Sequence, residues 1–183
     1  MTHHLVVTQN TTLDGRIEFL DPWFDPSPDA DVADLQGEMS KQSRECAGML
    51  LGRQTFEDFR GYWPQHVDEP AGASLARLQK YVVSRSLGEP GWQNSTILSG
   101  DPLDEVRALK ESGAGDLVVS GSITLTHAVL GAGLVDEIRL FVYPAIQGRG
   151  RGLTPEGATL YDLNLLESRS FRGGVTMLRY AIG

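Results

Sequence analysis

The strongest constraint in this chain is a repeated order: a short apolar run, then a glycine, then a segment with apolar residues at helical spacing. Met49-Leu-Leu51 runs into Gly52 and on to Thr55–Phe59. Leu117-Val-Val119 runs into Ser120-Gly-Ser-Ile-Thr124, after which Leu125, Val129 and Leu130 continue helically to Gly131. Strands that are apolar throughout, rather than alternating, are covered on both faces, and a strand that hands over to a helix through a glycine turn is the start of a parallel crossover. Leu5-Val-Val-Thr8, Tyr81-Val-Val-Ser84 and Ser95-Thr-Ile-Leu98 read as further strands. A helix is predicted over residues 29–46, where Asp29, Asp31 and Asp34 suit its positive end and Val32, Leu35 and Met39 follow at helical spacing. Ala73–Lys80 reads as helical, and Asp101-Pro102 is a helix entry with Leu103, Val106 and Leu109 inward. Beyond Asp136, the runs Ile138–Tyr143, Leu160–Phe171 and Val175–Ile182 have no helices between them and are expected to form an antiparallel edge. The fold class is therefore α/β: a mostly parallel sheet flanked by helices, with antiparallel C-terminal strands. No repeat or composition break divides the 183 residues, so one domain is expected.

Charge narrows the partners. Acidic residues number 24 against 16 basic ones, a formal charge of −8. Such a surface lacks the field of Lys and Arg that a polyphosphate or an anionic membrane needs, so no nucleic-acid and no membrane partner is expected, and any phosphate is bound locally. A single cysteine, Cys46, excludes a disulfide framework and a cysteine-rich zinc cluster. Met1–Thr8 does not read as an export signal, and no apolar run is long enough to cross a bilayer. These features fit a cytoplasmic protein.

In a parallel α/β sheet ligands gather beyond the carboxyl ends of the strands, where glycines admit a close approach and helix N-termini present N–H groups. Three segments have that form: Gly52-Arg53-Gln54-Thr55, Gly121-Ser122-Ile123-Thr124, and Ser84-Arg85-Ser86, whose guanidinium and hydroxyls suit a terminal phosphate. Asp14 stands before Gly15, where it is either a polar group at a reaction centre or a turn residue. Trp23 and Phe24, among prolines, read either as a mobile lid or as a plug. Tyr62-Trp63-Pro64 either walls a pocket or joins the core. Arg149-Gly-Arg151 either binds an anion or is a solvated loop, and His127, alone in a helix, reads as structural.

The order of these pieces resembles the dihydrofolate reductase superfamily, in particular the branch of the reductase domain of the bifunctional riboflavin-biosynthesis deaminase-reductase. Thr12-Leu-Asp-Gly-Arg16 is similar to that branch's turn after the first strand, and Leu50-Leu-Gly-Arg-Gln-Thr-Phe56 to the superfamily's Gly-Arg-x-Thr segment. Val118-Val-Ser-Gly-Ser122 and Gly133-Leu-Val-Asp-Glu-Ile138 complete the pattern over nearly the whole chain. The resemblance implies NADPH as hydride donor, a small-molecule substrate, no metal and no covalent intermediate. It implies Gly52, Arg53 and Thr55 at the cofactor phosphates, Ser84 and Arg85 near the adenosine ribose phosphate, and Gly121, Ser122, Ile123, Thr124 and Leu125 around the diphosphate. Asn10 joins the cofactor set, and Asp14 and Trp23 are the candidates beside the reacting atoms. A homodimer through the C-terminal strands is a further expectation.

Two departures bear on substrate. Where the riboflavin branch shows Glu-Gly-Gly, this chain has Ser120-Gly121-Ser122, and the acidic substrate ligand is missing. Folate reductases carry one carboxylate early in the first helix, a position for which Asp29, Asp31 and Asp34 compete here. The zinc signature of the deaminase half is absent. The leading expectation is an NADPH-dependent reductase acting on a C=N, C=O or C=C bond of a small ring-containing substrate. The rivals are a flavin- or other nucleotide-binding oxidoreductase on the same scaffold and a non-catalytic NADPH-binding module.

Overall fold

A computed structural model describes residues 2–22, 32–155, 157–158 and 161–183. Among the described residues eight strands form one sheet: β1 (His3–Thr12), β2 (Gly48–Gly52), β3 (Lys80–Val83), β4 (Ser95–Leu98), β5 (Gly115–Ser120), β6 (Glu137–Tyr143), β7 (Leu163–Ser170) and β8 (Thr176–Ile182). The α-helices described between them are α1 (Ala33–Glu45), α2 (Arg53–Tyr62), α3 (Pro70–Arg77), α4 (Pro102–Glu111) and α5 (Ile123–Gly131). The strand order is β4-β3-β2-β5-β1-β6-β8-β7. Strands β1 to β6 are mutually parallel; β8 is antiparallel to β6, and β7 to β8.

One expectation is corrected here. The segment Ile138–Tyr143 belongs to the parallel part of the sheet, because α5 is itself the crossover that returns the chain beside β1, and the antiparallel part begins only at β8. The predicted first helix begins at Ala33 among the described residues, with Asp29 and Asp31 outside them, and the Ala73–Lys80 helix lies three residues earlier, at Pro70–Arg77, entered through its proline.

The apolar runs are explained by two-sided burial. Leu5, Val7, Leu50, Leu117, Val119 and Ile138 pack against Val106 and Leu109 of α4 and Leu125, Val129 and Leu130 of α5. On the opposite face Met49, Leu51 and Val82 meet Phe56 of α2 and Leu75 of α3, while Phe141 and Met177 meet Leu35 of α1. Lys80, at the start of β3, is fully buried; its ammonium donates to the carbonyls of Leu75 and Leu78 at 2.7 Å each, closing the C-terminus of α3, and lies 4.4 Å from the ring centre of Trp92. Burial pulls that ammonium down to about 8. Among the described residues no helix is long and apolar enough to cross a membrane.

Candidate functional site

Because β3, β2 and β5 are neighbouring parallel strands, the segments following them emerge at one edge of the sheet. With neighbouring strands about 4.8 Å apart, the tips of β3 and β5 lie about 10 Å from each other. Ser84-Arg85, Gly52-Arg53 and Gly121-Ser122 thus share that edge.

The β2 and β5 tips are clasped together. The Ser122 hydroxyl accepts the Gly52 N–H at 2.9 Å, and the Ser122 N–H donates to the Thr55 hydroxyl at 3.0 Å. The crossing from β5 into α5 passes through two successive left-handed residues, Gly121 (φ +59°) and Ser122 (φ +48°). A Cβ on Gly121 would lie 3.2 Å from the Thr55 methyl, so a side chain there is strained by the backbone and crowded by Thr55. From below, Gln9 donates its amide to the Gly121 carbonyl at 2.6 Å and to the Thr126 hydroxyl at 2.9 Å. Gln9 is a site-shaping residue that the sequence reading missed; its signal was an amide placed among the buried residues of β1.

The clasp holds two helix N-termini side by side. Among the described residues, no side chain caps the first N–H groups of α2 or α5, and neither helix has an acid in its first turn. The first N–H groups of a helix have no intrahelical partner, so both ends present donors and the positive end of a dipole. The N-terminus of α4 is different: the Asp101 carboxylate accepts the N–H groups of Leu103 and Asp104, and Asp104 and Glu105 supply further negative charge. An anion therefore has a place at α2 and α5 and none at α4.

The cations around this edge are only loosely held. Arg53 forms an exposed pair with Glu57 on its own helix at 2.8 Å. Arg85 leans over the tip of β4, reaching the Gly100 carbonyl at 3.5 Å and Asp101 at 3.4 Å, with both side chains more than half exposed. Such exposed contacts contribute little and yield readily to a phosphate. The Ser84 hydroxyl is committed otherwise: it is buried and accepts the N–H groups of Ser86 and Leu87, shaping the turn that presents Arg85.

Asp14 lies apart from the clasp, in the tight turn after β1. Its carboxylate accepts the Thr12 hydroxyl at 2.6 Å and the N–H groups of Gln147 (3.1 Å) and Gly148 (2.8 Å). These bonds, that of Thr12 foremost, hold its pKa well below the usual carboxylate range. It stitches the loop after β1 to the loop after β6 and carries no proton to give. The same seam accounts for Arg149 and Arg151, which pair with Asp21 at 2.7 Å and Glu18 at 2.6 Å. His127 shares a hydrogen bond with the Gly152 carbonyl at 2.9 Å. Asp34 accepts the N–H groups of Leu35 and Arg172, the latter bond first in holding its carboxyl below its ordinary value, and so fastens α1 to the β7–β8 turn. Tyr62 is half exposed and stacked on His66, whereas Trp63 packs against the α2–α3 core. Trp23, Phe24, Asp29 and Asp31 fall outside the described residues. Asn10, on β1, faces the α1 side of the sheet.

Comparison with known proteins agrees with this architecture. The RibD C-terminal domain matches residues 3–177, and the chain belongs to that family. The uncharacterized protein YyaP of Bacillus subtilis is 28% identical over 96% of this chain and 93% of its own length. A protein from Shewanella sp. PV-4 with a provisional riboflavin-biosynthesis name shares the fold over 100% of this chain and 99% of its own, at 21% identity and a TM-score of 0.77. The Thermotoga maritima diaminohydroxyphosphoribosylaminopyrimidine deaminase/5-amino-6-(5-phosphoribosylamino)uracil reductase shares it at 15% identity and a TM-score of 0.68, with this chain covering 57% of that larger one.

Proposed function

We propose that this protein is an NADPH-dependent reductase acting on a polarised double bond of a small ring-containing molecule. The observation that carries the reading is the pair of uncapped helix N-termini, α2 and α5, clasped at adjacent strand tips with Arg53 and Arg85 beside them. Family membership supports the reductase class.

The residues present fit the cofactor. The left-handed Gly121 and Ser122 turn the chain sharply from β5 into α5, where the N–H groups of Ile123, Thr124 and Leu125 would meet a diphosphate, with Thr55 and Ser122 setting the spacing to α2. Arg53 would neutralise phosphate charge, and Arg85 would meet the 2′-phosphate that distinguishes NADPH from NADH. When bound, the dinucleotide supplies the hydride. The chain's part is to hold donor and acceptor at reacting distance, which supplies much of the rate. Asp14, fixed in its carboxylate form, orders the loops around the reaction centre and leaves the proton to water or a hydroxyl.

Titration of the purified protein with NADPH and NADH, followed by quenching of tryptophan fluorescence, tests the reading. Tighter binding of NADPH and its oxidation in the presence of a ring-containing carbonyl or imine substrate are expected. A yellow protein with flavin emission would replace it with the flavin alternative, and NADPH binding without turnover on any substrate would leave a binding module. We further propose a cytoplasmic homodimer formed through the C-terminal strands, where edge strand β7 exposes Leu163, Leu165 and Leu166. Light scattering checks it.

A further inference from the structure

The turn from β5 into α5 is held in a conformation that its own backbone disfavours. Ser122 has φ +48° and ψ +54°, in the left-handed region, which costs free energy for a residue with a Cβ; Gly121 before it, at φ +59°, has none to lose. One peptide plane decides the matter. Turning the plane between the two residues over, by about half a turn, changes only the ψ of Gly121 and the φ of Ser122. Ser122 then returns to a negative φ, and Gly121 accepts the new ψ. Other groups must hold the observed orientation.

Gln9 and Thr126 do so. Thr8 is in register with Ser120, so Gln9 stands level with Gly121 on the neighbouring strand, and alternation puts it on the α5 face with Leu5 and Val7. Its amide gives one hydrogen to the Gly121 carbonyl at 2.6 Å and the other to the Thr126 hydroxyl at 2.9 Å, and that hydroxyl donates in turn to the same carbonyl at 3.2 Å. Gln9 and Thr126 are both buried, so water competes little for these bonds. The C=O and N–H of a peptide point opposite ways. Drawing the Gly121 carbonyl toward Gln9 therefore turns the Ser122 N–H toward α2, where the Thr55 hydroxyl accepts it at 3.0 Å. The reversed plane would aim that N–H at the Gln9 NH2 group and set a carbonyl oxygen beside the α2 and α5 N-termini, where it repels an anion.

We propose that Gln9 is a positioning residue whose amide latches the Gly121–Ser122 peptide in the orientation that receives a diphosphate, against a relaxed orientation, carbonyl outward, that turns it away. This rests on the reductase reading of the cleft. A dinucleotide that binds only the latched form loses affinity in proportion to the fraction of molecules latched. NADPH and NADH carry the same diphosphate, so both lose alike. That equality separates Gln9 from Arg85, whose effect is confined to NADPH.

Gln9→Met keeps the length of the side chain and removes both donors. It is expected to weaken NADPH and NADH equally, by about five- to tenfold, the scale of one lost hydrogen bond. The melting temperature is expected to change little, because the strain released at Ser122 offsets the lost bond. Crystals of the cofactor-free variant are expected to show the Gly121 carbonyl turned toward α2. A merely structural glutamine would lower the melting temperature and leave both affinities in place. Thr126→Val removes the second donor and is expected to give the same equal loss at about two- to threefold, which carries the test if Gln9→Met does not fold. The native peptide orientation retained in Gln9→Met, affinities unmoved by either variant, or a loss confined to NADPH overturns the proposal. If the peptide turns over in Gln9→Met while the native protein binds neither dinucleotide, the latch stands and the reductase reading falls.

Discussion

The two ends of the parallel sheet solve opposite problems. At the amino ends of the strands, under α1, charge is closed on itself: Asp116 pairs with Arg139, Arg139 with Glu137, Glu137 with Arg179, and Arg179 with Glu167. Glu137 and Arg139 are buried, and each is held by two partners. At the carboxyl ends, two helix N-termini lack caps among the described residues, and the arginines make only exposed contacts. The amino end resembles a finished interior; the carboxyl end has donors, acceptors and cations awaiting partners. One end contributes stability, and the other binding.

The sharpest way to break this contrast is Glu137→Gln. Removing one member of a buried charge network typically costs about 3–5 kcal/mol, and because Arg139 keeps Asp116 the lower part of that range is expected here. Urea unfolding measures the loss, and NADPH affinity is expected to stay unchanged; a large change in affinity would show that the two ends are coupled. The pH dependence carries the same signature. Burial pushes the Glu137 carboxyl up, but the hydrogen bonds from Arg179 and Arg139 outweigh it and hold it below the ordinary glutamate value. A group whose folded pKa is depressed adds stability above its unfolded value, and that stability is lost as pH falls through the folded one. The native protein is therefore expected to lose stability below the ordinary glutamate range, and Glu137→Gln to flatten that acid limb in a series of urea melts.

Next in size is Arg85→Ala, at the open end. A charge-assisted contact to a phosphate is worth about 1–3 kcal/mol, so NADPH is expected to bind about 5- to 150-fold more weakly while NADH changes little. Stability is expected to stay the same, since the Asp101 pair is exposed. Equal weakening of both dinucleotides would remove Arg85 from the 2′-phosphate.

The same contrast explains what was legible in the sequence. The parallel sheet was legible because apolar runs such as Met49-Leu-Leu51 need cover on both faces, and the helix of α4 because Asp101-Pro102 is a local signal read within one turn. The strand tips were legible because glycines mark them. The direction of β6 was not, since nothing inside Glu137–Tyr143 distinguishes a parallel neighbour from an antiparallel one; only the sheet order does. Lys80 and Gln9 were invisible for a related reason. Each is a polar residue whose partners are supplied by distant segments or by carbonyls, and carbonyls leave no mark in a sequence. Asp14 was placed in its turn, but its grip on Gln147 and Gly148 spans more than 130 residues and no spacing announces it.

The smallest effect is the most discriminating test of the open end. Ser122→Ala removes the hydroxyl that accepts the Gly52 N–H and keeps a side chain in the left-handed conformation, so a stability loss of about 1 kcal/mol is expected, one hydrogen bond's worth. Ser122→Gly loses the same hydrogen bond but relieves a backbone strain of about 1–2 kcal/mol, so its stability should be equal to or above the native value. Thermal melts of the pair separate bond from strain. If the clasp sets the distance between the α2 and α5 N-termini, both variants weaken NADPH alike despite their different effects on stability. If NADPH affinity instead follows stability from one variant to the other, the geometry of the carboxyl end is only another part of the fold's rigidity, and the division between the two ends of the sheet fails.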